Sequence, residues 1–136
     1  MSDENRTEDR VLIRETYGRY ALASAKRDLD GWLESWTSDG HWKITTFEGS
    51  GHDSLREQWH AQWTRFENVA VINEVGPITF AGDRARASCC VREVAVEKGG
   101  GILLMTGVYD DELKRENGAW RFARREYSLL SSRTTN

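Results

Sequence analysis

Glu93 is the residue with the most direct route to chemistry. On an extended chain Ala85, Ala87, Cys89, Val91 and Glu93 alternate onto one face, which places a carboxylate at the end of an apolar row. Turned inward, such a carboxylate is raised in pKa and suited to act as an acid or a base. Turned toward the rim, it pairs with Arg92 or Arg124 as a structural ion pair. Tyr17 and Tyr20 lie on the apolar stripe of a helical stretch. An inward hydroxyl there needs a partner, either a ligand oxygen or a backbone carbonyl. Tyr109 and Asp111 share one face of a later extended run, and Trp120, Phe122, Arg124 and Glu126 share a face of the last one. The charged pair at its end would close a pocket or form a semi-buried salt bridge. Trp32, Trp36, Trp59 and Trp63, four of six tryptophans, recur at helical spacing. They either fill a core or offer flat faces to an aromatic or polycyclic ligand.

Other chemistries lack their residues. His41, His52 and His60 show no metal-ligand spacing, and the adjacent Cys89 and Cys90 point to opposite faces of a strand, so neither a metal site nor a disulfide between them is expected. Ser38 and Ser54 have no His and Asp arranged around them and read as a turn residue and a helix cap. Gly99 to Gly101 has no helix behind it, so no nucleotide cofactor is implied. A net charge of -3 from interspersed residues argues against nucleic acid as a partner. No apolar run reaches the roughly 20 residues that span a bilayer. With a polar, acidic start, a cytoplasmic location with reduced thiols is expected.

The elements that must position these residues follow from periodicity. Ile13, Tyr17, Tyr20, Ala21 and Ser24 predict a first helix with Thr7 as its cap. Asp28 opens a second helix bearing Leu29, Trp32, Leu33 and Trp36, stopped by Ser38-Asp39-Gly40. His41 to Gly49 reads as a strand. Ser54 and Glu57 have capping-box spacing ahead of a third helix bearing Leu55, Trp59, Trp63 and Phe66. From Ala70, four runs ending at Phe80, Glu97, Lys114 and Leu130, separated by turn residues, predict an antiparallel meander. One domain over residues 1–136, ordered from about 7 to 131, accommodates all of this as three helices wrapped on a curved sheet around a cavity. Arg84, Arg86, Ser88, Cys90 and Arg92 would line the outer face of the sheet, where a homodimer could form.

Several local motifs fall in the order of one superfamily. Tyr20-Ala21-Leu22-Ala23 ends the first helix, Arg27-Asp28-Leu29-Asp30 opens the second, and Thr37-Ser38-Asp39-Gly40 precedes the first strand. Gly51, Asn73, Ala85, Gly107-Val108-Tyr109-Asp110-Asp111-Glu112-Leu113 and Gly118-Ala119-Trp120-Arg121-Phe122 follow. Over residues 9–130 the chain thereby resembles the SnoaL-like branch of the nuclear transport factor 2 superfamily, with scytalone dehydratase, ketosteroid isomerase and polyketide cyclase relatives. The resemblance implies a cone-shaped α+β fold with a small-molecule pocket. It also implies cofactor-free elimination, isomerisation or cyclisation of an apolar, oxygen-bearing ring compound.

It places Tyr17, Tyr20, Asn73 and Tyr109 as hydrogen-bond donors at the pocket, beside Trp36, Trp59 and Trp63. The sequence departs from the family at the acid-base pair. The dehydratase Asp position holds Ala25, the His position falls on Val69 or Asn68, and the isomerase carboxylate falls near Ile44. Glu93, with Tyr20 and Tyr109, is then the catalytic candidate. A non-catalytic binding or interaction module, or an auxiliary subunit like the small subunit of ring-hydroxylating dioxygenases, is the alternative.

Overall fold

The structure, a computed structural model, describes residues 5–135. Helix α1 (Thr7–Lys26) buries Ile13, Tyr17, Tyr20 and Ser24 of the predicted stripe, with Thr16 and Ala23 beside them, while Ala21 is only half-buried. Arg6, not Thr7, occupies the position before its first turn, where Glu8 and Asp9 favour the helix dipole. The helix ends at Arg27, in the left-handed region at φ 55°, and the Asp28 amide turns back to the Ala23 carbonyl. Asp28 then caps α2 (Leu29–Glu34) by accepting from the Gly31 amide at 3.0 Å.

The strand β1 (Trp36–Ile44) starts earlier than its helical spacing suggests. Trp36 is its first residue and not the last of α2, because the Phe122 amide donates to the Ser35 carbonyl at 2.7 Å and draws the chain into the sheet. The stretch expected as one strand is a hairpin: β1 turns at Thr45-Thr46 into β2 (Phe47–Ser50), with Ile44 opposite Phe47. Helix α3 (His52–Arg65) begins before Ser54 and has no side-chain cap, so the capping box is not formed. Phe66, expected on α3, opens β3 (Phe66–Ala81) opposite Glu97. Pro77, the one proline, sits on this edge strand at a register shift between Val75 and Ile78, where its missing N–H costs no ladder bond.

The remaining strands are β4 (Arg84–Glu97), β5 (Ile102–Glu116) and β6 (Ala119–Thr135). Asn117 and Gly118, both at positive φ, form the two-residue turn between β5 and β6, the hairpin connection that Asn-Gly favours. Residues 132–135, expected to lie beyond the ordered core, instead extend β6 and pair with the start of β5 from Met105–Ser132 to Ile102–Thr135. The expectation for the first residues falls partly on 1–4, outside the described residues.

The sheet order is β2-β1-β6-β5-β4-β3, antiparallel except for the parallel pair β1 and β6. The three helices cover one face, giving the cone-shaped α+β arrangement. Its core is aromatic: Trp32 stacks within 5.7 Å of Trp36, 5.3 Å of Trp42 and 5.0 Å of Trp59 between ring centroids.

Candidate functional site

Alternation on β4 is regular. Ala85, Ala87, Cys89 and Val91 are buried, while Arg84, Arg86, Ser88, Cys90 and Arg92 are exposed. Glu93 therefore faces the concave side, half-buried. It lines two neighbouring spaces, which also share Trp42, Gln62 and Tyr109. The inner hollow holds about 30 Å³, the scale of a single water. The outer mouth holds about 390 Å³, within the range of small-molecule sites of about 300–1,000 Å³. The tryptophans explain the contrast, since their rings occupy the interior that three helices and a bent sheet would otherwise leave open.

Burial raises the Glu93 carboxyl above its ordinary range, and the positive charge of Arg125 only partly offsets it. Arg92 and Arg124, the expected partners, do not reach it. Arg92 is exposed, and Arg124 donates to Glu126 at 3.2 Å. Tyr109 is buried and accepts from Trp42 Nε1 at 2.9 Å, so its own hydroxyl hydrogen stays available to a ligand. Burial, reinforced by Tyr20 and Glu93, pushes its pKa well up and keeps it a phenol. Tyr20 lies between Trp32 and the Arg125 guanidinium, 4.7 Å from its ring centroid, and is likewise raised by burial.

The structure thus gathers Tyr20, Trp59, Trp63, Asn73, Glu93 and Tyr109 around the inner hollow, and leaves Tyr17 and Trp36 outside it. Tyr17 is turned away because its hydroxyl donates to Asp111 Oδ2. Trp36, fully buried, packs among Tyr20, Trp32, Trp42 and Phe122, and its Nε1 has no partner. Glu93 is not the sole inward carboxylate either: Asp111 is buried as well, bound by Arg125 Nε at 2.8 Å and Nη2 at 3.1 Å.

Arg125, Trp42 and Tyr127 are the site residues that sequence periodicity misses. Phe122 pairs with Leu113 but Arg124 pairs with Glu112, so Ala123 is an extra residue in β6. This bulge shifts the alternation by one. Arg124 and Glu126 turn to the outer surface, and Arg125 and Tyr127 turn in. Arg125 is 1% exposed. Its guanidinium lies 3.8 Å from the Tyr109 centroid and 4.3 Å from that of Phe122. Desolvation alone would lower its pKa, but Asp111 and the surrounding phenols reverse this and hold it cationic. Three of its N–H bonds face Asp111 and Cys89, and the guanidinium also lies within hydrogen-bonding reach of Tyr20. Arg125 itself lines the inner hollow. Burial also pushes the Cys89 thiol up to about 11, which leaves it unreactive near neutrality. Trp42 was within reach of sequence reasoning, because it shares a strand face with Ile44.

Tyr127 lies against Tyr109, with ring centroids 5.0 Å apart, and lines the mouth. Its hydroxyl oxygen is buried without a hydrogen-bond partner among the described residues, a condition that costs roughly 1–3 kcal/mol when nothing fills it. Burial, with the nearby Glu93 charge, pushes its pKa up to about 12.

The family's acid-base positions are empty of acid and base. Ala25 is exposed at the end of α1, Asn68 is exposed, and Val69 lines the hollow where the His would stand. Ile44 lines the mouth. His41 bonds Ser50 at 2.5 Å and Glu48 at 2.9 Å across the β1–β2 hairpin, on the surface and apart from both spaces. Among the described residues no three His, Cys, Asp or Glu side chains gather to hold a metal, and no helix is long and apolar enough to cross a membrane.

These features meet their relatives. Residues 5–126 match the SnoaL-like domain family. The chain belongs to that family, with the cone-shaped fold of the nuclear transport factor 2 superfamily. No curated protein sequence matches it. Among solved structures, a type 2 hexachlorocyclohexane dehydrochlorinase (LinA) superposes with a TM-score of 0.88 at 19% identity, covering 99% of this chain and 94% of that one. A protein described as a scytalone dehydratase from Novosphingobium aromaticivorans gives 0.86 at 20% identity, covering 100% and 96%. A type 3 dehydrochlorinase from Novosphingobium barchaimii gives 0.86 at 19%, covering 98% and 94%. At these identities the likeness establishes the shared fold.

Proposed function

We propose that the protein binds an apolar, oxygen-bearing ring compound at the mouth and moves a proton on it without a cofactor, as a lyase, isomerase or cyclase. The carrying observation is Glu93: a half-buried carboxylate with raised proton affinity, on the wall shared by hollow and mouth, with phenolic donors beside it. In its ionised form Glu93 takes a proton from carbon. Charge then develops on the substrate's oxygen, where Tyr109 donates and the field of Arg125 favours it, with Tyr20 behind them in the hollow. Trp59, Trp63 and Asn73 line the hollow behind the ligand, and Trp42 and Tyr109 its near wall. The kinship with proteins described as a dehydrochlorinase and a dehydratase supports a reaction that begins with proton removal.

The test uses nitrobenzisoxazole, a flat heteroaromatic that opens when a base removes its ring proton. Turnover should rise with pH through the raised pKa of Glu93, because only the carboxylate accepts a proton. Glu93→Gln should lower it by roughly a hundredfold. Turnover unchanged by Glu93→Gln would remove Glu93 as the base.

A second reading, a non-catalytic binding module, is favoured by the exposed Ala25 and by Val69. Native mass spectrometry of the purified protein separates the two: a retained ring compound recovered unaltered after long incubation supports binding alone. We place the protein in the cytoplasm as a homodimer joined through the outer face of β4, where Arg86 and Ser88 already pair with Glu112 and Asp110 of β5. Light scattering should give twice 15.6 kDa, and a monomer at micromolar concentration overturns the dimer.

A further inference from the structure

Tyr127 has an inward ring and an unanswered hydroxyl. Its ring lies over Gly107 on β5: a Cβ added there would stand 2.4 Å from the end of the Tyr127 side chain, so any larger residue would push the ring end aside. Tyr109 packs on its flank at 5.0 Å. The side chain thus lies between one bare strand position and one aromatic wall, a placement that the bulge at Ala123 creates. Its buried oxygen meets no donor or acceptor among the described residues. Buried polar groups in folded proteins are nearly always matched, so a placed hydroxyl without a match marks where another molecule supplies one.

The surroundings say what that molecule is. The mouth is lined by Trp42, Ile44, Leu103, Met105 and Leu129, apolar surface suited to a flat ring system, together with polar groups such as Gln58, Gln62 and Arg65 suited to an oxygen at its edge. The hollow behind it, filled by tryptophan rings, admits no more than water.

We propose that Tyr127 is a specificity-determining ligand contact: it donates a hydrogen bond to an oxygen of a flat ring compound seated in the mouth, outside the tryptophan plug and beside Tyr109. The proposal deepens the pocket reading above and rests on its location of the ligand, though not on Glu93 acting as a base. Tyr109 and Tyr127 then form a pair of phenolic donors on adjacent strands. The ligand class is a ring compound with a carbonyl or similar acceptor at one edge, in preference to a hydrocarbon or halocarbon of equal size.

Two probes decide it: acetonaphthone, a flat two-ring ketone, and ethylnaphthalene, the same rings without the oxygen. Besides Met1, Met105 is the one methionine, so methyl-labelled protein gives an NMR reporter within the mouth. Both probes should shift the Met105 signal. Tyr127→Phe should weaken acetonaphthone binding about tenfold, the size of one hydrogen bond, and leave ethylnaphthalene unchanged. Equal weakening of both, no weakening of either, or saturating acetonaphthone that leaves Met105 unmoved each overturns the proposal. So does failure of the unsubstituted protein to bind acetonaphthone at millimolar concentration. Thermal melting of ligand-free Tyr127→Phe should match or exceed the parent, because the unmatched hydroxyl is gone, and a collapse in melting temperature would reassign Tyr127 as a structural residue. If Glu93→Gln leaves nitrobenzisoxazole turnover unchanged while the acetonaphthone difference persists, the base assignment fails and this contact stands.

Discussion

Two polar regions share the concave side of this sheet and are built on opposite principles. Around Arg125, almost every polar atom is answered: Asp111 receives two guanidinium bonds and the Tyr17 hydroxyl, and Cys89 accepts a third guanidinium bond. Around Glu93, which lines the same hollow and also the mouth, little is answered. The carboxylate has no ion pair among the described residues, and the Tyr127 hydroxyl is unmatched. Low dielectric strengthens a complete network and penalises an incomplete one. The first region reads as architecture with an electrostatic reach into the hollow, and the second as a surface awaiting a ligand.

The comparison is easiest to break at Asp111. Asp111→Ala leaves the Arg125 charge buried and uncompensated, and chemical denaturation should show a loss of about 3–5 kcal/mol. The same experiment with Asp111→Asn should cost less, because shape and one acceptor survive. If Asp111→Ala folds with parental stability, the complete network is not holding the core.

Next in size is the pH response. Burial raises Tyr17, Tyr20 and Tyr109, so the folded state binds their protons more tightly than the unfolded chain. The stability they lend is intact below the unfolded tyrosine pKa, near pH 10, and declines as pH climbs beyond it. Alkaline titration followed by circular dichroism should show unfolding above about pH 10, coincident with phenolate absorbance. Phenolate appearing well before unfolding would show that these rings are not sealed.

The smallest effect sharpens the contrast. The raised carboxyl of Glu93 means that its ionised form is disfavoured by folding; its contribution to stability is fully present below about pH 4.3 and is lost as pH rises through its folded pKa. Glu93→Gln should therefore raise stability at pH 7 by an amount on the order of 1 kcal/mol, even as it removes turnover. A destabilised Glu93→Gln would place Glu93 among the structural groups with Asp111.

Much of this was legible in the chain. The stripe Ile13, Tyr17, Tyr20 and the alternation from Ala85 to Glu93 were readable because each element keeps one period throughout. Asp28 and Asn117-Gly118 were readable because their roles are local. The motif order likewise announced the family. What failed did so for a few physical reasons. Trp36 and Phe66 continue helical spacing beyond the point where strand pairing takes over, and neither residue type distinguishes the two. Ser54 has the capping spacing without the cap, because α3 already begins at His52.

The sequence by itself determined the layers, the aromatic content of the interior and the residue types, Ala25 and Val69 or Asn68, at the positions where the resemblance expects an acid and a base. Tertiary structure decided which polar groups meet. One inserted residue, Ala123, reverses the alternation of β6, turning Arg125 onto Asp111 and Tyr127 toward Glu93 while sending Arg124 and Glu126 to the surface. A bulge is settled by the register of neighbouring strands, not by the residue that forms it, so no local pattern in Arg121 to Tyr127 could reveal it.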